Sequence, residues 1–272
     1  TLWLDGPGVR AVRASGANLY EQTRQYERTV LLVDVGDSEF YILDIFRVVG
    51  GTDHAKFIGS HFGSVQTTGL TLRPGSEYGH DTVLRNFATD PNPAPGWSAD
   101  WTIQDRYGYL PPGKSLHFRY TDLTAHAEAS LCEAWVIAGQ YNDTTEAWVP
   151  RLMIRRRVES APLASTFVSL MEPYEKQPAV KAARRVPLVS ANGAALPDRH
   201  VAVEIELADG RKDLIIVRDT EDPLGGPPSL SPAEPICVPS WKAHSDGQIL
   251  FLRREPGGAI ARTVVAPAPK RG

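Results

Sequence analysis

Three consecutive stretches determine the fold class of this chain: Arg28–Asp34 (RTVLLVD), Val35–Glu39 (VGDSE) and Phe40–Val49 (FYILDIFRVV). The two outer stretches are rich in Val, Ile, Leu and Phe, which favour the pleated backbone of a β-strand. The stretch between them is short and polar, as a hairpin connection is. The sequence therefore predicts an antiparallel β-hairpin whose second strand ends at Gly50-Gly51.

The composition of the whole chain favours an all-β protein. Of its 272 residues 42% are hydrophobic, and 22 Pro and 23 Gly are spread along the sequence, so they separate short segments and disfavour long helices. Lys and Arg number 29 against 32 Asp and Glu, and this balance argues against nucleic acid as a partner, which usually needs a basic face. The apolar runs are too short to span a bilayer, so we expect no membrane partner.

The other segments extend the β pattern. Ala125–Trp135 fits helical spacing as well as a strand, and we predict a strand because its neighbours are strands. From His200 onward the residues alternate between apolar and acidic up to a turn at Asp209-Gly210, which predicts a second hairpin. We predict a large antiparallel β-sandwich of the supersandwich type over residues 1–160. A smaller β unit over residues 161–272 follows, packed on the sandwich or continuous with it.

Candidate functional residues follow the first hairpin. Arg47 can clamp a carboxylate in fork geometry, and histidines such as His54 and His61 exchange protons near neutral pH. We predict a substrate-binding role for Arg47 and catalytic roles for the two histidines. The structural alternative is that Asp44 and Arg47 satisfy each other at a sheet edge while the histidines stabilise the loop.

A second group of candidates surrounds the Pro-rich loop Asp90–Gly96. Trp97 can stack on a sugar ring, or it can belong to the sandwich core. Arg106 and Tyr107 place a guanidinium beside a phenol, which suits either a ligand or ordinary surface packing. We predict Trp97, Arg106 and Tyr107 as substrate-binding residues. Of the run Arg155–Arg157, at most two side chains can share one face of a strand.

Common catalytic and cofactor-binding motifs are absent from the sequence or lack the structural context that they require. Gly6-Pro7-Gly8 with Ala11 matches a dinucleotide fingerprint, but the surrounding βαβ unit that this fingerprint requires does not occur. The sequence contains no GxSxG, HExxH or HxH motif, so hydrolase-triad and zincin interpretations have no support. Cys132 and Cys237 are too few for a four-cysteine zinc site, and whether they pair with each other stays open.

A family resemblance is carried by eight parts of the sequence. They are Thr1–Gly6, Tyr26–Asp34, Tyr41–Val48, Gly50-Gly51, His54, His61–Gly63, Thr166–Val168 and Glu172–Tyr174. Together they resemble the C-terminal β-sandwich of heparinase II/III-like polysaccharide lyases. The resemblance covers roughly residues 1–220 as a pattern of strands.

The resemblance implies cleavage of uronate-containing polysaccharides by β-elimination. In family members a base removes the proton next to the uronate carboxylate, another group holds that carboxylate, and an acid protonates the leaving oxygen. The helical toroid that carries the family's catalytic Tyr and His precedes the sandwich and does not occur in this sequence. The His-x-His-x-Asp segment, which supplies metal ligands in some members, is not found either. We therefore expect no cofactor in this chain and assign any divalent metal, such as zinc or calcium, to the full-length protein.

The sequence thus predicts the β-sandwich portion of a polysaccharide lyase. It would form one wall of a cleft for an acidic polysaccharide, with the N-terminal helical toroid as its partner, and would be inactive without that toroid. The alternative is a non-catalytic carbohydrate-binding or structural β-sandwich module. The family's substrates imply a periplasmic or extracellular location in bacteria.

Overall fold

The computed structural model describes residues 1–16, 19–79, 82–137, 139, 145–221, 223–224 and 234–267. These residues form β-strands and one short 3-10 turn, Pro239–Trp241, and none of them lies in an α-helix. The predicted all-β fold is confirmed. No helix of the described residues is long and apolar enough to cross a bilayer.

The strands form four antiparallel sheets. From one edge to the other, the eight-stranded central sheet contains β1 (Leu2–Gly6), β2 (Val9–Ser15), β3 (Gln25–Asp34), β4 (Phe40–Val49), β13 (Ala164–Tyr174), β10 (His117–Asp122), β9 (Ser98–Ile103) and β6 (Gly63–Thr68). The first flanking sheet contains, again from one edge to the other, β5 (Asp53–Gly59), β12 (Glu146–Arg157), β11 (Glu128–Ile137), β8 (Leu84–Asp90) and β7 (Arg73–Pro74). The second flanking sheet contains β14 (Val180–Arg185), β16 (Val201–Leu207), β17 (Lys212–Val217), β20 (Ile249–Arg254) and β21 (Ile260–Ala266). A small sheet contains β15 (Val189–Ser190), β18 (Ile236–Val238) and β19 (Ala243–Ser245).

Both predicted hairpins are present. β3 pairs with β4 in register, and the Val35 N–H closes the connection by donating to the Glu39 carbonyl at 2.8 Å. β16 pairs with β17 across the predicted turn, where Gly210 has a φ of 88°. The segment for which helical spacing was the alternative forms strand β11, which pairs on both sides.

The central sheet is packed on both faces, which gives three layers. Consecutive residues of a strand point to opposite faces. On β4 the side chain of Ile45 lies in the core shared with the second flanking sheet, and the next side chain, Phe46, packs against the core shared with the first flanking sheet. On β13 the Val168 side chain likewise lies in the core shared with the second flanking sheet, and the Phe167 side chain lies in the core shared with the first. Burial of apolar surface on both faces is the main stabilising contribution to such an arrangement.

The central sheet continues past residue 160. β13 begins at Ala164 and lies between β4 and β10, in the interior of the central sheet. The second flanking sheet, which follows β13 in the chain, contributes Val203, Ile215 and Phe251 to the core that it shares with the central sheet.

Candidate functional site

An exposed group of aromatic and basic side chains lies at one edge of the central sheet. We call it the aromatic–arginine cluster, and its members are His61, Phe62, Arg106, Tyr107 and Tyr109. The His61 ring is 5.2 Å from the Phe62 ring and 5.7 Å from the Tyr107 ring, in edge contacts. The Tyr107 and Tyr109 rings are 5.8 Å apart, and the Arg106 guanidinium lies 4.9 Å from the Phe62 ring. The structure therefore brings together three residues predicted from the sequence, His61, Arg106 and Tyr107.

The backbone around Gly63 holds one half of this cluster in place. Gly63 has a φ of 147°, and a Cβ at this position would lie 2.0 Å from the Thr102 carbonyl oxygen. Only glycine allows that close approach between β6 and β9. One step further along, the Gln104 N–H donates to the Phe62 carbonyl at 2.8 Å. The loop after β9 is thereby fixed beside Phe62.

The carboxylate of Asp105 shapes the other half of the cluster. It accepts the Leu110 N–H at 2.7 Å and the Tyr109 N–H at 2.9 Å. These backbone hydrogen bonds stabilise the ionised carboxylate and lower the pKa of Asp105. In the turn that results, Tyr107 and Tyr109 are exposed to solvent.

The cluster presents aromatic, cationic and imidazole groups to solvent. The Tyr109 side chain is 82% exposed, and His61, Arg106 and Tyr107 are also exposed. Aromatic rings pack on apolar surfaces through their faces, and a guanidinium forms charge-assisted hydrogen bonds with a carboxylate. The His61 imidazole adds a ring nitrogen donor and a ring nitrogen acceptor. The cluster therefore combines aromatic faces, a guanidinium and an imidazole on one exposed surface.

Sequence reasoning missed two members of the cluster. Phe62 follows His61 directly, and Tyr109 lies two residues after Tyr107, so the signal was present in the neighbouring positions. What the sequence could not supply is that these two segments meet, because the contact depends on the pairing of β6 with β9.

His54 lies apart from the cluster and has a structural environment. Its Nε2 is 2.7 Å from the Gly50 carbonyl oxygen, which only accepts, so Nε2 carries the proton and donates. Its Nδ1 is 2.9 Å from the Ser165 hydroxyl. Burial lowers the pKa of His54 and favours the neutral ring. His54 lies at the start of β5, about 17 Å from its end at a rise of about 3.3 Å per residue, and His61 follows that end.

Arg47 lies in the core, where no surface of its guanidinium is left for a ligand. It donates to Glu27 Oε1 at 2.6 Å and to the backbone carbonyls of Arg199 and Val217. The expected pairing of Asp44 with Arg47 at a sheet edge is wrong. β4 is an interior strand, and residues three apart on a strand point to opposite faces.

Asp44 has its own partners on the other face of β4. It accepts hydrogen bonds from Lys56 at 2.7 Å and from Arg28 at 2.7 Å. Lys56 also donates to the Ser169 hydroxyl at 2.9 Å. This buried group joins β4 to β5 and β13 and accounts for the acidic residue in an otherwise apolar strand.

Trp97 also lies in the core. Its side chain is 3% exposed, and its ring packs 5.7 Å from the Tyr120 ring at an angle of 49°. The indole belongs to the core that the central sheet shares with the first flanking sheet, beside Leu152 and Ile154. Of the two interpretations of Trp97, the structure places it in the sandwich core.

A groove of about 630 Å³ crosses the outer face of the first flanking sheet. Arg155 and Arg157 line it together, whereas Arg156 points to the other face and donates to the Ala164 carbonyl at 2.9 Å. The prediction that at most two of these arginines share a face is confirmed. Both are paired with the Glu128 carboxylate, at 3.7 Å and 2.7 Å, so much of their charge is neutralised.

The described residues contain no group of three or more His, Cys, Asp or Glu that could hold a metal ion. Cys132 and Cys237 are both free thiols. The first is buried, and burial raises its pKa to about 11, so it does not act as a thiolate at neutral pH.

In comparisons with known proteins, this chain is similar to several solved structures. No family model matches the sequence, and no curated protein matches it either. A mutant of the heparan sulfate lyase HepC from Pedobacter heparinus is 17% identical, with a TM-score of 0.45, over 79% of this chain and 27% of that chain. A heparinase III, the BT4657 gene product, is 9% identical, with a TM-score of 0.45, over 76% of this chain and 25% of that chain. Another heparinase III is 12% identical, with a TM-score of 0.40, over 76% of this chain and 26% of that chain. The chain thus spans about a quarter of the length of the solved structures it matches.

Proposed function

We propose that this chain is the β-sandwich portion of a polysaccharide lyase and forms one wall of its substrate cleft. The ligand is an acidic, uronate-containing polysaccharide, and the partner is a helical toroid in the full-length protein. The protein works in the periplasm or outside the cell, where bacteria meet such polysaccharides. Any divalent metal would belong to the full-length protein.

One observation carries this proposal, the exposed aromatic–arginine cluster. Its rings offer flat apolar surfaces to a sugar, and Arg106 offers a charge to the uronate carboxylate. His61 is the one predicted catalytic histidine that belongs to the cluster, in contact with both Phe62 and Tyr107. It is therefore the residue that we assign to proton transfer at this wall.

The separation of the two histidines supports inactivity of the chain alone. β-Elimination needs one group to remove a proton and another to deliver one to the leaving oxygen. His54 is engaged through both ring nitrogens and lies about 17 Å from the end of β5. His61 would then need a second proton-transfer group from the partner domain.

Two substitutions in the cluster test the binding proposal. We expect Tyr109→Ala and Arg106→Gln each to weaken binding of an acidic oligosaccharide by about tenfold, which corresponds to ~1.4 kcal/mol. The measurement is a titration followed by ligand-observed NMR, which detects weak binding. Tyr20→Ala is the matched control, since Tyr20 is also an exposed loop tyrosine with one aromatic neighbour. Unchanged affinity in both cluster variants would refute the assignment.

A lyase assay separates the proposal from its alternative. We expect residues 1–272 to release no unsaturated uronate, followed by ultraviolet absorbance, from heparin, alginate, hyaluronan or chondroitin sulfate. The alternative is a self-sufficient carbohydrate-binding module, favoured by the fact that all five cluster residues come from two adjacent loops of this chain. Tight polysaccharide binding by the chain alone would favour that module. Robust turnover would contradict both.

A further inference from the structure

A second polar cluster lies on one face of the central sheet, on β9, β10 and β13. We call it the Asp100 cluster, and its members are Asp100, His117, Arg119, Glu172 and Tyr174. In the sheet register Arg119 is opposite Asp100 on one side and opposite Glu172 on the other. The second flanking sheet covers the neighbouring part of this face, but here Asp100, His117 and Arg119 stay 23–27% exposed. The cluster is therefore accessible from solvent.

The side chains of this cluster converge on the Asp100 carboxylate. Tyr174 donates its hydroxyl to Oδ2 at 2.6 Å, and Arg119 donates its Nε to the same oxygen at 3.1 Å. The His117 ring stacks on the Tyr174 ring at 4.8 Å with an angle of 14°. These contacts fix the orientation of the carboxylate before any ligand arrives, which lowers the entropy lost on binding.

Several polar atoms of the cluster keep unused hydrogen-bonding capacity within the described part of the chain. Asp100 Oδ1 has only His117 Nδ1 near it there, at 3.5 Å. Arg119 donates its Nε to Asp100, and the guanidinium also interacts with the Tyr174 hydroxyl. Glu172 Oε1, in a side chain that is 1% exposed, has no hydrogen-bond partner among the same residues and lies 3.9 Å from Arg119 Nη1. The cluster therefore presents an acceptor and donors side by side.

We propose that the Asp100 cluster is a second sugar-binding site, which takes a hydroxyl-bearing, unsulfated ring. A sugar hydroxyl would donate to Asp100 Oδ1 while a neighbouring oxygen of the same ring accepts from Arg119. Two carboxylates, Asp100 and Glu172, face a single guanidinium, so the local charge disfavours a sulfate. The inference rests on the proposed function and adds which part of the polysaccharide this face selects.

The two sites lie close enough to be occupied by one oligosaccharide. Asp100 precedes Gln104 by four residues along β9 and the loop, which is about 13 Å at ~3.3 Å per residue. The Gln104 N–H donates a hydrogen bond to the carbonyl of Phe62, which belongs to the aromatic–arginine cluster. The aromatic–arginine cluster would hold a uronate, and the Asp100 cluster would select against sulfation on a nearby unit.

Asp100→Asn tests this inference with hyaluronan and heparin oligosaccharides of equal length as probes, since only heparin is sulfated. We expect about tenfold weaker binding of the hyaluronan oligosaccharide, the factor given by ~1.4 kcal/mol, and no weakening for the heparin oligosaccharide. Tyr174→Phe, which removes one donor to the carboxylate but keeps the ring, should act in the same direction. Unfolding curves of each variant show whether it is folded.

Glu204→Gln is the matched control. Glu204 is a carboxylate on the second flanking sheet that accepts from the cross-strand Arg184 and from the Trp241 ring nitrogen, much as Asp100 accepts from Arg119 and Tyr174. It should leave both affinities unchanged. Unchanged hyaluronan affinity in folded Asp100→Asn, or equal losses for both probes, would overturn the inference while leaving the proposed function standing. If the wild type binds neither probe, the proposed function falls and the inference falls with it.

Discussion

The Arg47 guanidinium on β4 and the Glu27 carboxylate on β3 form an ion pair of 2.6 Å, and each side chain is 1% exposed. The pair lies on the face of the central sheet that packs against the second flanking sheet. Arg47 Nη2 also donates to the Val217 carbonyl at the end of β17, so the pair joins the two layers. A charge at this depth is stable because it is paired and hydrogen-bonded. This relationship gives Arg47 a structural role in the fold.

We therefore expect Arg47→Met to destabilise the protein without a specific effect on binding. The substitution leaves the Glu27 carboxylate buried with only Arg13, at 3.7 Å, near it among the described cations, and breaking a buried pair lowers the free energy of unfolding by about 3–5 kcal/mol. Urea denaturation measures this change. Arg10→Met, which removes an exposed pair with Asp34, is the control and should lower it by less than about 1 kcal/mol. If Arg47→Met kept wild-type stability but lost polysaccharide binding, the result would contradict this account and show that Arg47 binds the substrate.

Trp97→Ala should act on stability in the same way. The indole fills the core beside Tyr120, and removal of a buried Trp lowers the free energy of unfolding by about 3–5 kcal/mol. Polysaccharide affinity of the remaining folded protein, measured well below the unfolding transition, should not change. A variant with normal stability and weaker binding would show that the indole contacts the sugar.

Gly63→Ala should disturb the aromatic–arginine cluster through the backbone. The added Cβ would meet the Thr102 carbonyl at 2.0 Å in a conformation with a φ of 147°. We expect a loss of more than about 1 kcal/mol of stability together with weaker polysaccharide binding. Gly257→Ala is the control, because a Cβ there meets nothing within 4 Å. Equal behaviour of the two variants would contradict the role given to the Gly63 backbone.

His200 should make stability depend on pH. Burial lowers its pKa from 6.5 to about 4, so between these values the unfolded chain binds a proton that the folded protein does not. The free energy of unfolding then falls as the pH falls from about 6.5 to about 4, by up to ~3 kcal/mol. His200→Gln removes this contribution, and urea unfolding at both pH values measures the difference.

The comparison with wild type also controls for Asp122. Burial raises the pKa of Asp122 to about 6, so its contribution has the opposite sign and is lost as the pH rises. Both proteins contain Asp122, so the difference between them isolates His200. Equal pH dependence in wild type and His200→Gln would contradict the assignment.

The strands could be predicted from sequence because their signals are local. The alternation in β16 and the polar connection between β3 and β4 lie within a few residues of each other. The environment of Arg47 could not be predicted, because its partners Glu27 and Val217 come from other strands. For the same reason the sequence identified His61 and Arg106 as separate candidates but not as neighbours. The contacts of His61 with Tyr107 and of Phe62 with Arg106 depend on which strands pair, and that depends on the whole chain.

Binding of an acidic polysaccharide by the aromatic–arginine cluster can be tested by mapping the ligand on the protein. Two-dimensional amide NMR spectra of residues 1–272 would be recorded while a hyaluronan oligosaccharide is added. We predict the largest shift changes at His61, Phe62 and residues 106–109, and none at Arg47 or Trp97. Shift changes confined to another surface, or no change at saturating oligosaccharide, would contradict this assignment.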